Sequence, residues 1–275
     1  MTDWKMNISA PARRAHADTR ARVPANLGFT LVELLVVIGI IALLISILLP
    51  SLNAARAQAQ TIKCLSNLRQ LGVAAAGYAS QHKGMLLPAD LDDKNYPVDK
   101  GHGRTWSETW ATILVADGYL SYPTVTSETI PPGTDNVFHC PSGVMESSVI
   151  TNTSNNVPAT RKDAQGAMAY LNQSQRLQPG LNVFSWYGIN GASSPTTPFP
   201  FRRVVIETSK KVSGYRKSNE VRNPTEMVFL FDGILGLNYA GTNANRINAR
   251  HNNQKVTNIA FIDGHAESLP TKSLP

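Results

Sequence analysis

Residues 29–49 read FTLVELLVVIGIIALLISILL. Glu33 is the one charged residue in this stretch, and the sixteen residues 34–49 carry no charge. As a helix the segment would be about 31 Å long, which matches a bilayer hydrocarbon core of about 30 Å. In a soluble protein a helix apolar on every side must be walled in by protein on every side. Upstream, residues 1–28 hold five basic residues (Lys5, Arg13, Arg14, Arg20, Arg22) against two acids (Asp3, Asp18). Lys and Arg ahead of a span stay cytoplasmic. The expected topology is therefore a single-pass membrane chain, N-terminus cytoplasmic, with its C-terminal part facing outward.

An ordinary signal peptide has a shorter apolar run and a small-residue cleavage site after it. PSLNAA at residues 50–55 would serve only weakly. The position of Glu33 argues for another reading. A carboxylate inside a bilayer costs a few kcal/mol, so one placed there points to a partner, by default a cation.

The stretch LGFTLVELLVVIGIIALLI resembles the cleavage and methylation segment of type IV prepilins and type II secretion pseudopilins, through Gly28, Phe29, Thr30, Leu31, Val32 and Glu33. The resemblance implies a prepilin peptidase that cuts after Gly28 and methylates the new N-terminus at Phe29. It implies that Glu33 meets the N-terminal amine of a neighbouring pilin-like subunit in a homo- or hetero-filament, where a cation and hydrogen bonds make a buried carboxylate tolerable. Pro50 would be the twenty-second residue of the cut chain. Related pilins often carry Pro there, and it removes a backbone donor and kinks the helix.

Beyond Pro50 the helical pattern continues. Leu52, Ala55, Ala59, Ile62, Leu65 and Leu68 recur at three- and four-residue spacing, and Cys64, Leu68, Leu71, Ala75 and Tyr78 form a second, overlapping face. Gly84 is the expected stop. A nearly continuous helix over 30–82 would be about 80 Å long, its first half in lipid or among other subunits and its second half packed on a domain. From Met85 the texture turns to short apolar runs among Pro, Gly, Asn, Ser and Thr. The pattern predicts a helix over 106–119 and a strand meeting a turn at 137–141. It predicts a polar insertion over 142–180 with a helix near 162–176, and a surface loop over 191–200. Further strands are expected at 183–190, 202–207, 227–232 and 257–263, with a tight turn at Asp263-Gly264 and a return strand over 265–269. The expected class is α+β: a long N-terminal helix on a mostly antiparallel sheet domain with insertions. The expected division is a basic leader (1–28), a transmembrane and assembly helix (29–49), the outer half of that helix (50–83) and an exported domain (84–275).

A second resemblance spans most of the chain. KCLSNLRQLGVAAAGYA, FHCPSG, SWYGIN and the final RH with FIDGHAES are similar to a large bacterial family of prepilin-like proteins. That family's C-terminal motif is His, about nine residues, then Asp-Gly. Here eleven residues separate His251 from Asp263-Gly264, which implies a longer loop.

The chain has two cysteines, Cys64 and Cys140. In an exported domain they could form a disulfide that pins the domain to the helix; the alternative is two small buried hydrophobes. His251, Asp263 and His265 could meet at one end of a hairpin and hold a transition metal. The alternative is turn chemistry, with His251 hydrogen-bonded across the strands. Calcium in a C-terminal loop would draw on Asp232 and Asp263, but no dense acidic loop accompanies them. No resident cofactor or metal is expected. The net charge of +7 is dispersed without an aromatic-interleaved stripe, so no nucleic-acid partner is expected. No GxSxG, HExxH or Walker pattern is present, and the six histidines (His16, His82, His102, His139, His251, His265) are scattered. The expected function is thus structural and non-enzymatic. The competing readings are a membrane-anchored binding module that never polymerises and a metal-dependent exported enzyme.

Overall fold

A computed structural model describes residues 30–93, 108–122, 136–143, 147–148, 169–174, 181–192, 200–233, 251–252 and 255–271. The leader, Gly28 and Phe29, and most of the 142–180 and 193–199 stretches lie outside them. The chain divides into two compact units between Leu49 and Pro50.

The first helix, α1, spans Leu31–Gln81, with Pro50 inside it. Every large hydrophobic from Leu31 to Leu49 is exposed, between 46 and 76%, so among the described residues no protein wall covers this segment. Its N-terminus is a capping box. The Thr30 N–H and Oγ1–H both donate to Glu33 Oε2, at 2.9 and 2.7 Å, and the Glu33 N–H donates back to Thr30 Oγ1 at 3.2 Å.

Within the second unit α1 buries one stripe: Cys64, Asn67, Leu68, Leu71, Gly72, Ala74 and Tyr78. This is the second of the two expected faces. Leu52 and Ile62, on the first, are 64 and 60% exposed. The helix ends as expected at Gly84, whose φ of 80° places it in the left-handed region. Its N–H closes the last turn on the Ala79 carbonyl at 2.8 Å.

Four strands form the sheet nearest the sites described below. They are β6 (Tyr187–Ile189), β10 (Val228–Asp232), β11 (Val256–Phe261) and β12 (Ala266–Pro270), in the order β12-β11-β10-β6, antiparallel throughout. A second sheet orders β2 (Glu108–Thr109), β1 (Asp90–Asp93), β8 (Phe201–Ile206) and β7 (Gly191–Ala192), with β9 (Val212–Ser213) on β8. A third joins β3 (Ser147–Ser148), β4 (Ala169–Ser174) and β5 (Leu181–Ser185). Six of the nine pairings are antiparallel, so the α+β, mostly antiparallel class holds.

Five local expectations need correction. The expected strand at 183–190 is two, β5 and β6, and Gly191–Ala192 of the expected surface loop form β7 on β8. The 106–119 helix is shorter: α2 covers Trp110–Ala116, because Glu108 and Thr109 pair with β1 instead. Residues 137–140 form turns, not a strand: the His139 N–H bonds Asn136 O and the Gly143 N–H bonds Cys140 O. Residues 169–174 are β4, paired with β5 across a five-residue register, so cross-strand pairing overrides the local helical pattern there.

One core joins α1 to the sheets through Leu68, Leu71, Tyr78, Phe138, Trp186 and Leu230 among others. Each large apolar side chain so buried contributes roughly 1.5–3 kcal/mol.

Candidate functional site

Two places gather polar chemistry. The first is the helix N-terminus. Thr30 and Glu33 satisfy one another there, and the helix that follows is long and apolar enough to cross a membrane.

The second is a fully buried cluster in the second unit. Four chain segments converge on it. α1 contributes Cys64, the turn over 136–143 contributes Cys140, the C-terminal end of β10 contributes Asp232, and His251 precedes β11. All four side chains are buried, and their ligand-type atoms lie within 4.8 Å of one another. Cys64 Sγ is 3.6 Å from Cys140 Sγ and 3.1 Å from Asp232 Oδ1. His251 Nε2 is 3.0 Å from Asp232 Oδ2 and 3.7 Å from Cys140 Sγ.

Local backbone structure explains each placement. Cys64 belongs to the buried stripe of α1, one turn before Leu68. Asp232 ends the apolar run VFLFD of β10, where the strand meets Gly233. The backbone of His251 pairs with Val256 through bonds of 3.3 and 3.2 Å. Asn252 takes a φ of 49° to make that turn, a conformation Asn tolerates better than most residues.

A ring of donors and hydroxyls surrounds the cluster. The Asn258 N–H donates to Asp232 Oδ2 at 3.0 Å. The Tyr187 O–H reaches Cys64 Sγ at 3.3 Å. The hydroxyls of Thr61 and Ser142 each lie 3.3 Å from His251 Nδ1. Burial pushes the Cys64 thiol well above its ordinary value, and the neighbouring Cys140 and Asp232 push it further. Burial alone would depress His251. Its hydrogen bonds to Asp232 and Cys140, with their charges, outweigh that and raise it to about 9.

The structure brings Cys64 and Cys140 together and adds His251 to them. It does not bring His251 to Asp263 or His265, so the three candidate ligands do not form one cluster. The reason is β11. This strand is six residues long, so its ends stand about 17 Å apart at roughly 3.3 Å per residue. Asp263 and His265 instead pair with each other at the exposed β11–β12 turn, Oδ1 to Nδ1 at 2.5 Å, and Asp263 Oδ1 also accepts the His265 N–H at 3.1 Å. Gly264 makes that turn at a φ of 93°. The turn packs on α1 at Gly72, where an added Cβ would stand 3.7 Å from Gly264 Cα. His251 does not hydrogen-bond this turn either. Asp232, considered in the sequence only as an available oxygen ligand for calcium, sits with two thiols and an imidazole, and a carboxylate closing an apolar strand was its one signal in the sequence.

No curated protein and no solved structure matches the chain. Residues 24–49 match the family described as the prokaryotic N-terminal methylation motif. The motif spans Gly28, Phe29 and Glu33 and runs into the exposed apolar half of α1. Together the motif and that helix mark the chain as a membrane-anchored, type IV prepilin-like protein.

Proposed function

We propose that the chain is the precursor of a pilin-like structural subunit. Prepilin peptidase cuts it after Gly28 and methylates Phe29. Residues 29–49 then hold it in the inner membrane with its domain outward, and it joins other pilin-like subunits in a secretion pseudopilus or type IV pilus-like filament. The observation that carries this reading is the methylation motif at residues 24–49, continuous with a helix whose large apolar side chains from Leu31 to Leu49 are exposed among the described residues.

The mechanism is assembly. Each exposed Leu, Ile and Val of residues 31–49 leaves lipid for contact with the same segment of a neighbour. In the lone chain Glu33 accepts from Thr30 N–H and Oγ1. In a filament its carboxylate meets the methylated amine of the adjacent subunit, which balances a charge inside an apolar bundle. Glu33→Ala tests this. The variant should reach the membrane at wild-type level and be lost from the sheared filament fraction. Unchanged activity with no filament fraction from the wild type would favour a membrane-anchored binding module instead.

A further inference from the structure

We propose that Cys64, Cys140, Asp232 and His251 hold a structural zinc-class divalent ion that ties α1 to the sheet. The site is independent of how the N-terminus is processed.

The distances fit a tetrahedral ion. With metal–sulfur bonds of about 2.3 Å and metal–nitrogen or –oxygen bonds of about 2.0–2.1 Å, tetrahedral edges are about 3.8 Å between sulfurs, about 3.6 Å from sulfur to nitrogen or oxygen, and about 3.3 Å from nitrogen to oxygen. Four of the six separations are 3.6 Å for the two sulfurs, 3.7 Å for Cys140 Sγ to His251 Nε2, 3.1 Å for Cys64 Sγ to Asp232 Oδ1 and 3.0 Å for His251 Nε2 to the other carboxylate oxygen, Asp232 Oδ2. One donor atom from each residue lies within 4.8 Å of the other three, so a small closure of the cluster with a turn of the Asp232 carboxylate would bring all four onto one ion.

The donor set selects the metal. Two thiolates and an imidazole are soft to borderline ligands, suited to zinc and its neighbours and unsuited to calcium or magnesium. Four protein donors close the coordination sphere, and all four residues are at most 2% exposed. No position is left for water or substrate, so the site is structural and not catalytic.

The surroundings are those of metal ligands. Thr61 and Ser142 hydroxyls flank Nδ1 of His251 and aim Nε2 inward. Asn258 N–H fixes Asp232, and the Tyr187 O–H points at Cys64 Sγ. Partners of this kind orient ligands and tune their basicity.

A Cys64–Cys140 disulfide accounts for less. It would remove the Cys64 thiol proton, the one donor to Asp232 Oδ1 among the described residues. That oxygen would be left buried without a partner, and His251 and Asp232 would have no reason to adjoin the sulfurs.

The test uses the full-length chain, extracted from membranes in detergent and purified through a tag that holds no metal. Elemental analysis should find about one zinc per chain after exhaustive dialysis. X-ray absorption should show two sulfurs near 2.3 Å and two lighter atoms near 2.0 Å. Cys140→Ser and Asp232→Asn should each lower the zinc content at least tenfold. The wild-type measurements stand even if a variant fails to fold. A wild-type mass two daltons low, with Cys64 and Cys140 peptides linked and no metal, would overturn the site in favour of the disulfide. Two titratable thiols with no metal would overturn it outright. So would a metal held in a shell without sulfur.

Discussion

His251 Nε2 and Asp232 Oδ2 meet at 3.0 Å with both side chains out of water. Removing one partner of such a pair strands the other as a buried charge or an unpaired polar group, at a cost of about 3–5 kcal/mol. His251→Ala should therefore lower stability by that order in urea melts of the detergent-solubilised protein. A His251→Ala chain as stable as wild type would show that the pair contributes nothing.

Gly191 and Gly72 predict opposite outcomes for the same substitution. A Cβ at Gly191 would stand 2.5 Å from Ala89 Cβ and 2.8 Å from the Phe201 carbonyl oxygen. The carbonyl is backbone and cannot move aside cheaply, so Gly191→Ala should destabilise by about 1–3 kcal/mol. A Cβ at Gly72 meets nothing closer than 3.7 Å, and Ala suits a helix interior better than Gly. Gly72→Ala should be neutral or mildly stabilising. Thermal melts of the two variants against wild type decide both.

The Asp263–His265 pair predicts a small acid-sensitive contribution. Slight burial pushes the Asp263 carboxyl up, but the His265 N–H, ring and charge outweigh it and hold the group below its ordinary 3.8. A carboxyl depressed in the folded state stabilises above its unfolded pKa and loses that contribution as pH falls through the folded one. Asp263→Asn should cost under about 1 kcal/mol at neutral pH. The difference between the two chains should shrink below pH 3.8. A difference that grows on acidification would reverse this assignment.

Much of the fold was legible because its signals are local. The uncharged run over 34–49 and the three- and four-residue apolar spacing to Tyr78 mark α1 without reference to anything distant. The strands β10 and β11 stand out as largely apolar runs, and the Asp263-Gly264 turn marks β12 as the returning partner of β11. Residues 137–140 mislead because an apolar pair before Pro141 resembles a strand, while turn hydrogen bonds at Asn136 and Cys140 decide the backbone. β4 was missed because its pairing with β5 is a tertiary fact. The cluster was half legible. The proximity of Cys64 to Cys140 was among the expectations, but His251 was grouped with Asp263 because they are neighbours in one motif. A six-residue extended strand between them forbids that meeting, and the same sheet register carries His251 to Asp232.

The central claim is that this chain is processed as a prepilin, and the N-terminus of the mature protein tests it most directly. Intact mass and N-terminal sequencing of the membrane-extracted native chain should give a polypeptide beginning at N-methylated Phe29. A chain beginning after about residue 55 would contradict the account, because an ordinary signal peptide would then have released a domain with no membrane helix. An uncut Met1 would contradict it as well, leaving a plain signal anchor.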